Sequence, residues 1–169
     1  HEYLIEQVQH TGVESIAAAD AANADVNKSI TLTFNHPVKA LFWKGLTHHA
    51  DTAVASYKAK LQLNGHDRAS EQGNLYFTGV QPYEGGLRHN HPATTALTPA
   101  HAGMYSFCLK PGEHQPSGTC NFSRIDNARL VLNIKGGTTG MTAQSLHVFA
   151  LNYNVLRIMS GMGGLAYSN

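Results

Sequence analysis

Hydrophobic and polar residues alternate with a period of two over several stretches of this chain. In Ser29–Phe34 the side chains of Ile30, Leu32 and Phe34 fall on one face, and hydroxyl residues fall on the other. Such alternation predicts a half-buried β-strand. The Asn35-His36-Pro37 sequence follows, and its proline removes a backbone donor, so we expect a sharp corner there.

Seven further segments have the character of strands. They are Tyr3–Val8, Val38–Trp43, Lys60–Leu63, Leu75–Val80, Met104–Leu109, Leu130–Ile134 and Leu146–Ile158, the last broken or bent near Asn152–Asn154. Turn signals separate them at Asn64-Gly65, at Pro116-Ser117-Gly118 and from Gly136 to Gly140. About eight strands with such turns predict an all-β domain of two packed antiparallel sheets.

Little helix is expected. The alanine-rich stretch Glu14–Ala24 lacks an apolar stripe, which predicts a surface excursion with at most one or two helical turns. Long connections are predicted at 11–27, 46–57 and 81–102. No linker, repeat or charge block divides the chain, so residues 1–169 are predicted to form one domain. Because the chain opens on His1 within a strand-like sequence, we expect further residues to precede it.

Composition favours a subunit of an assembly. Charged residues make up 14% of the 169 residues and hydrophobic ones 42%, a low ratio for an isolated soluble monomer. The net charge is +1 and the basic residues are dispersed, which argues against nucleic-acid binding. No apolar run approaches the roughly 20 residues of a transmembrane helix, and no signal peptide is evident. The sequence therefore predicts a soluble cytosolic protein without direct membrane insertion.

Two cysteines and two glycosylation sequons leave alternatives open. Cys108 and Cys120 flank a turn and could form a disulfide, although two reduced thiols are the commoner state in an intracellular protein. Asn27 and Asn121 each begin an Asn-x-Ser sequon, which would matter only in a secretory compartment. For Asn121 the favoured interpretation is a side-chain hydrogen bond to the backbone of the adjacent turn.

Candidate catalytic chemistry is weak. A metal site could use the histidines, namely His48, His49, His89, His91 and His101. An HxH pair of the cupin type needs an acidic ligand a few residues later, and the next carboxylate after His91 is Glu113. There is no nucleophile elbow, and the glycines at 161–164 end the chain as a predicted tail rather than a phosphate loop. We therefore predict no enzyme activity, no metal and no cofactor.

Long strings in the chain resemble the major capsid proteins of large nucleocytoplasmic DNA viruses of algae and protists. The strings are SITLTFNHPVKALFW, KLQLNGHDR, NLYFTGVQPY, YSFCLKPGEHQPSGTCNFSRIDNARL and HVFALNYNVLRIMSGMGGLAYSN. The resemblance implies an eight-stranded antiparallel jelly-roll sandwich, the second half of a double jelly roll. It also implies a homotrimer that forms a pseudo-hexagonal capsomer of an icosahedral virion shell. Neighbouring capsomers and minor capsid proteins would be its partners, with assembly in the host cytoplasm.

The same resemblance assigns structural and assembly roles to three motifs. Asn64 and Gly65 would turn the chain, while Asp67 and Arg68 would pair across a loop to hold a neighbour. The corner-forming residues are Gln115, Pro116, Ser117 and Gly118, and the segment after the corner contains Asn121, Arg124 and Asp126. Simple solvated charge is the alternative for the charged pairs. Ala69 departs from the family, which usually has a bulky apolar residue there.

Two other functions are consistent with the predicted fold. A jelly-roll lectin or host-attachment module would hold glycan on its long loops, with Tyr83, Trp43 or His89 stacking on or bonding to sugar. A cupin-like metalloenzyme would use the loop histidines. Glycan screening tests the first hypothesis and metal analysis tests the second.

Overall fold

A computed structural model gives the fold of the chain as two antiparallel β-sheets. It describes residues 1–19, 21, 24–46, 54–87, 102–138 and 140–168. The strands, in chain order, are β1 (Glu2–Ile16), β2 (Asp25–Thr31), β3 (Pro37–Lys44), β4 (Val54–Leu63), β5 (His66–Gly73), β6 (Gly103–Ser106), β7 (Cys120–Asn121), β8 (Ala128–Gly136), β9 (Gln144–Met159) and β10 (Met162–Leu165).

Eight of these strands form two facing four-strand layers. One layer has the order β1-β9-β3-β6, and the short strands β7 and β10 extend it by pairing with β3 and β9. We call this layer, with its extensions, the six-stranded sheet. The other layer, the four-stranded sheet, has the order β2-β8-β4-β5. The all-β prediction is therefore correct, and β7 and β10 come in addition to the eight strands of the sandwich.

The longest strand pairing joins the start of the chain to its end. β1 runs antiparallel to β9 from Glu2 opposite Arg157 to Ile16 opposite Gln144. The register shifts between His10 and Val13, where Gly12 has a φ of +94°, a value that favours glycine. This pairing makes β9 the central strand of the six-stranded sheet, with β3 and β10 on its other side.

The core lies between the two sheets and follows the alternation in the sequence. Alternate residues of each inner strand are buried, as in β8, where Leu130, Leu132 and Ile134 are all nearly inaccessible to solvent. β3 and β9 contribute Leu41 and Val148 from the opposite layer. Each such large aliphatic side chain contributes roughly 1.5–3 kcal/mol through burial, so this shared cluster supplies most of the stabilisation.

The prediction of a strand at Leu75–Val80 is wrong. Residues Tyr76–Val80 form one turn of π-helix, followed directly by a short α-helix, α1 (Gln81–Glu84), with Pro82 in its first turn. Phe77 is buried and packs edge-on against Trp43, with ring centroids 5.2 Å apart. The apolar residues that suggested a strand therefore pack against the core from a helical turn.

The predicted excursion at Glu14–Ala24 is also partly wrong. Residues 14–16 continue β1, because Ile16 is buried against the core and Glu14 forms an ion pair with Lys28 at 3.2 Å. Ala19 then bridges to Met141. In the described part of the excursion, residues 14–19, 21 and 24, there is no helical turn.

Three strands, β5, β7 and β10, were not predicted. β5 has one buried residue, Ala69, among eight, so it carries no alternating apolar signal. β10 replaces the predicted tail, because Gly161 at φ +78° turns the chain back so that Met162–Leu165 pairs with the end of β9. The other seven predicted strands correspond to strands of the structure, with shifted ends. Of the predicted connection at 81–102, residues 88–101 lie outside the described residues.

Candidate assembly site

The Asn64-Gly65 motif forms the tight turn between β4 and β5, as predicted. Both residues have positive φ, +50° and +80°, which asparagine and glycine tolerate best. The Asn64 side-chain oxygen accepts hydrogen bonds from the backbone N–H groups of Asp126 and Asn127, each at 3.1 Å. The backbone N–H of Asn64 donates to the Asn127 carbonyl at 2.7 Å. The turn is thereby fixed to the segment that leads into β8.

Asp67 and Arg68 are exposed neighbours on β5. Each interacts with a different residue rather than with the other. The Gln62 amide donates to the Asp67 carboxylate at 2.7 Å. Burial raises the pKa values of Tyr105 and Cys120, and the nearby Arg68 guanidinium partly offsets both shifts. The two charged side chains thus interact with different neighbours, and Arg68 lies where the register of β5 against β4 shifts.

The corner at 115–118 is held by Ser117 and Gly118. The Ser117 hydroxyl oxygen accepts a hydrogen bond from the backbone N–H of Lys110 at 3.0 Å. Gly118 has a φ of +134°, and a Cβ atom there would lie 3.0 Å from the carbonyl oxygen of Phe107. Gln115 and Pro116 are exposed at the tip of the corner.

The segment after the corner supports the His36-Pro37 turn. The Asn121 side-chain oxygen accepts from the backbone N–H of Ser123 at 3.1 Å, which confirms the backbone-capping role expected for Asn121. The Ser123 hydroxyl oxygen accepts from the backbone N–H of His36 at 2.8 Å, and the Phe122 N–H donates to the His36 carbonyl at 3.0 Å. His36 has a φ of +65°, so these contacts hold a conformation that is unfavourable for it.

An open cavity lies next to this turn. It has a volume of about 410 Å³ and is lined mainly by apolar atoms. Its walls include Leu4, Pro37, Asn121, Tyr153 and Tyr167. Leu4 and Tyr167 are themselves exposed.

Sequence analysis missed an ion pair between the buried Lys39 and the partly exposed Glu6 on the outer side of the six-stranded sheet. The Lys39 side chain is 1% exposed, and its ammonium group donates to the carboxylate of Glu6 and to the Glu113 carbonyl, the latter at 2.7 Å. The ammonium also lies 5.0 Å from the ring centroid of Tyr153, whose hydroxyl donates to the His114 carbonyl. A lysine inside the apolar run VKALFW was the available sequence signal.

The electrostatics of this pair favour the charged lysine. Burial by itself lowers the pKa of Lys39, but the hydrogen bonds to Glu6 and Tyr153 and their charges outweigh burial, so the pKa is raised. The register of β3 against β9 shifts between Val38 and Ala40, which places Lys39 in a bulge. The arrangement ties the corner at 113–114 to the sheet.

Two of the residues proposed for sugar binding, Trp43 and Tyr83, do not share one site. Trp43 is 2% exposed and donates a hydrogen bond to the Tyr57 hydroxyl at 3.3 Å inside the core. Burial raises the pKa of Tyr57 to about 12. Tyr83 is 84% exposed, and His89 lies outside the described residues. Trp43 therefore cannot stack on a glycan, and sugar binding by Tyr83 stays a prediction.

The candidate metal ligands and the two cysteines form neither a metal site nor a disulfide in the described ranges. There, no group of three or more His, Cys, Asp or Glu side chains is placed to hold a metal ion. His48, His49, His89, His91 and His101 lie outside those ranges. Cys108 and Cys120 are free thiols, the state that the sequence favoured over a disulfide. Across the described segments no helix combines the length and hydrophobicity needed to span a bilayer.

Comparison with known proteins gives a consistent result. Residues 44–164 match the family model of the large eukaryotic DNA virus major capsid protein. The major capsid proteins of Pyramimonas orientalis virus and Paramecium bursaria Chlorella virus 1 are 46% and 40% identical to this chain over its full length. The match covers 43% and 49% of those two proteins, so the chain spans about half the length of the relatives it matches.

Solved structures agree on the fold. VP54 of Paramecium bursaria Chlorella virus 1, as fitted into a reconstruction of the virophage Sputnik, matches all of this chain with a TM-score of 0.77 and 38% identity. The match covers 52% of the VP54 chain. The Faustovirus major capsid protein, at 14% identity and a TM-score of 0.62, shares the fold. The sandwich is therefore a jelly roll, and the chain belongs to the family of large eukaryotic DNA virus major capsid proteins.

Proposed function

We propose that this chain is the second jelly roll of a major capsid protein that builds the shell of a large DNA virus. The observation that carries the proposal is the match to VP54, in which one complete sandwich of this chain corresponds to 52% of the longer chain. A polypeptide of that length has room for two such sandwiches. Function would then lie in the surfaces that the sandwich presents to other protein, rather than in chemistry.

The proposed assembly is a homotrimer of double jelly rolls, which together form a pseudo-hexagonal capsomer. The six jelly rolls of the trimer would lie around a three-fold axis, which is a closed symmetry. Obligate interfaces in such assemblies commonly bury more than about 2,000 Å². Capsomers would contact one another and minor capsid proteins in a virion that is assembled in the host cytoplasm. The low charged fraction of the chain, 14%, fits a subunit with several covered faces.

We propose that exposed residues of the turn motifs contact adjacent subunits. Asn64, Ser117 and Asn121 hold the turns through intrachain hydrogen bonds, as described above. Arg124 and Asp126 are exposed beside those turns, and neither forms an ion pair within the described parts of the chain. We assign them to contacts with an adjacent subunit, which the fixed turns would present in a defined geometry.

Purification of the complete capsid polypeptide tests the trimer. Light scattering after size exclusion at micromolar concentration should give three times the polypeptide mass, and electron microscopy should show a six-sided outline. A stable monomer under these conditions would refute the proposal. The double variant Arg124→Glu with Asp126→Lys should keep the thermal midpoint and weaken assembly, whereas Lys135→Glu, an exposed change on β8, serves as the control.

A further inference from the structure

Two histidines from distant parts of the chain meet on the outer side of the six-stranded sheet. The Nε2 atom of His10 lies 3.1 Å from the Nδ1 atom of His147, although the two residues are 137 positions apart. β1 supplies the first and β9 the second, and the pairing of these strands brings them together. The two rings lie within 14° of parallel, with centroids 5.2 Å apart. We call these two side chains the histidine pair.

The sheet fixes the position of both rings. His10 lies opposite Phe149 in the register, and Val13 lies opposite His147. The register shift of β1 falls between these two rows, and a bulge of this kind commonly re-aims a side chain. The ring of Phe149 stacks on His10 with centroids 4.6 Å apart, and it lies within 12° of parallel to the ring of His147. The histidine pair is therefore held by strand pairing and by a stacked ring.

The separation of the two nitrogens suits a shared metal ion. Neutral imidazole nitrogen is a preferred ligand of Zn²⁺, Cu²⁺ and Ni²⁺, with metal–nitrogen bonds of about 2.0–2.1 Å. Two such nitrogens on one ion, at an angle of about 90–109°, lie roughly 2.9–3.4 Å apart. The distance of 3.1 Å between His10 and His147 falls within this range. Both lone pairs reach one ion when the rings turn about their side-chain bonds, while the strands stay in place.

The same distance accommodates a hydrogen bond in the metal-free chain. One of the facing nitrogens then donates its N–H and the other accepts. A metal ion would take the place of that shared hydrogen. The proton of the donor ring would move to its other nitrogen, so two neutral rings would bind the ion without a net release of protons. Mg²⁺ and Ca²⁺ prefer oxygen ligands and would not bind at this pair.

The surroundings of the histidine pair leave room for an ion. His10 is exposed and His147 is half-buried. In the ranges that the structure describes, no third His, Cys, Asp or Glu is placed to complete a metal site with them, so water would fill the other coordination positions. Lys44 lies opposite His147 on β3 and is exposed. Its positive charge would weaken binding of a cation, because like charges repel.

We propose that the histidine pair binds a transition-metal ion, Zn²⁺ or Cu²⁺, which links β1 to β9. The proposal rests on the geometry of one chain and does not depend on the proposed function. Because the unfolded chain does not hold the two nitrogens together, an ion at this site stabilises the folded chain by mass action. Sequence analysis considered other histidines, since only the sheet brings His10 and His147 together.

Histidine labelling of the unaltered chain tests the proposal residue by residue. Diethyl pyrocarbonate acylates imidazole rings that are free of metal, and peptide mass spectrometry locates each adduct. At a Zn²⁺ concentration roughly ten times the dissociation constant, labelling of His10 and His147 should slow by about tenfold, along one shared saturation curve. His66, which is exposed on β5, is the internal control and should label at an unchanged rate. Mg²⁺ at the same concentration should protect none of the three.

Substitutions give a second, independent test. His10→Gln and His147→Gln each remove one ligand, so the remaining histidine loses the effective concentration of its partner and should bind Zn²⁺ about tenfold more weakly or worse. Zn²⁺ should raise the thermal midpoint of the unaltered chain. The rise should fall to the same lower value in both single variants and in the double variant, whereas His66→Gln should keep it. Lys44→Gln should strengthen binding, because it removes a neighbouring positive charge.

The outcomes decide the proposal whether or not a capsomer forms. Unchanged labelling of both histidines up to millimolar Zn²⁺ and Cu²⁺ would overturn it. Protection of His10 without His147, or the reverse, would also overturn it, because a single histidine would then bind the ion alone. The labelling test needs no substitution, so its result stands even if a variant fails to fold.

Discussion

Asn64 and Asp126 lie 62 residues apart in the chain and are joined by a hydrogen bond of 3.1 Å from the backbone N–H of Asp126 to the Asn64 side-chain oxygen. The bond links the turn after β4 to the residues that enter β8. Since β4 and β8 are neighbours in the four-stranded sheet, one side chain helps to fix the register of two strands. It does so from a backbone conformation with positive φ.

Replacing Asn64 tests this link. Asn64→Gly keeps the backbone conformation but removes the acceptor of two hydrogen bonds, so we expect a loss of about 2 kcal/mol in the free energy of unfolding. Asn64→Asp keeps both the acceptor and the tolerance of positive φ and should cost less than about 1 kcal/mol. Urea unfolding measures both variants. The control is Ser160→Gly, also at φ +50°, which should not destabilise the chain; equal losses for Asn64→Gly and Asn64→Asp would contradict the role of the acceptor.

The Lys39–Glu6 pair should be asymmetric, because Lys39 is buried and Glu6 is near solvent. Glu6→Gln leaves the buried ammonium without its carboxylate, and we expect a cost of about 3 kcal/mol, whereas Lys39→Met leaves a solvated carboxylate and should cost less. The double variant should recover at least half of the summed loss, since neither charge remains. Lys58→Met at the exposed pair with Glu71 is the control and should cost less than about 1 kcal/mol. Additive losses in the double variant would show that the two residues act independently.

Tyr57 should make the fold sensitive to alkaline pH. Its pKa is raised to about 12 by burial, while an unfolded tyrosine ionises near 10, so the unfolded state releases a proton first as pH rises. Stability therefore falls between pH 10 and about 12, by up to roughly 3 kcal/mol from this residue. Lys39, whose pKa is also raised, loses its contribution at still more alkaline pH than an ordinary lysine.

Chemical denaturation from pH 8 to 11.5 measures this effect. Tyr57→Phe should flatten the decline in unfolding free energy above pH 10, although it lowers stability at neutral pH by about 1 kcal/mol through the lost Trp43 hydrogen bond. Tyr83→Phe, at an exposed position, should keep the slope of the wild type. An unchanged slope in Tyr57→Phe would rule out this residue as the source.

The contact between β6 and Trp43 should depend on glycine at position 103. A Cβ atom there would lie 2.3 Å from the indole ring, so Gly103→Ala forces Trp43 to move within the core and should cost about 2–3 kcal/mol. Gly164→Ala in β10 meets no atom within 4 Å and is the matched control. Thermal unfolding compares the two variants, and equal midpoints would contradict the tight packing around Trp43.

Strands in which apolar and polar residues alternate could be predicted from the sequence. Strands that are stabilised mainly by pairing with a neighbouring strand could not. β8 and β9 were found because alternate apolar residues meet the core. β5 was missed because only Ala69 points inward and the strand exists through its pairing with β4. The segment 75–80 was misassigned, since burial of Phe77 is satisfied by a helical turn as well as by a strand.

The backbone conformation of the turn motifs could be predicted from the sequence. Asn64-Gly65 and Asn121 act locally, so their residue types indicate what they do. Asp67 accepts a hydrogen bond from Gln62, whereas Arg68 lies near Tyr105 and Cys120 of the other sheet, and a contact of the two charges with a neighbouring molecule stays a prediction. Lys39 was missed because its partners Glu6 and Glu113 come from distant parts of the chain.

β5 lies at the rim of its sheet, and seven of its eight residues are exposed, including Asp67, Arg68 and Glu71. An unpaired strand rim can recruit a further strand and so begin an open-ended fibril. The hydrated charges on β5, together with its two register shifts against β4, oppose that growth. The chain is thereby protected from growth into amyloid-like polymers at high concentration.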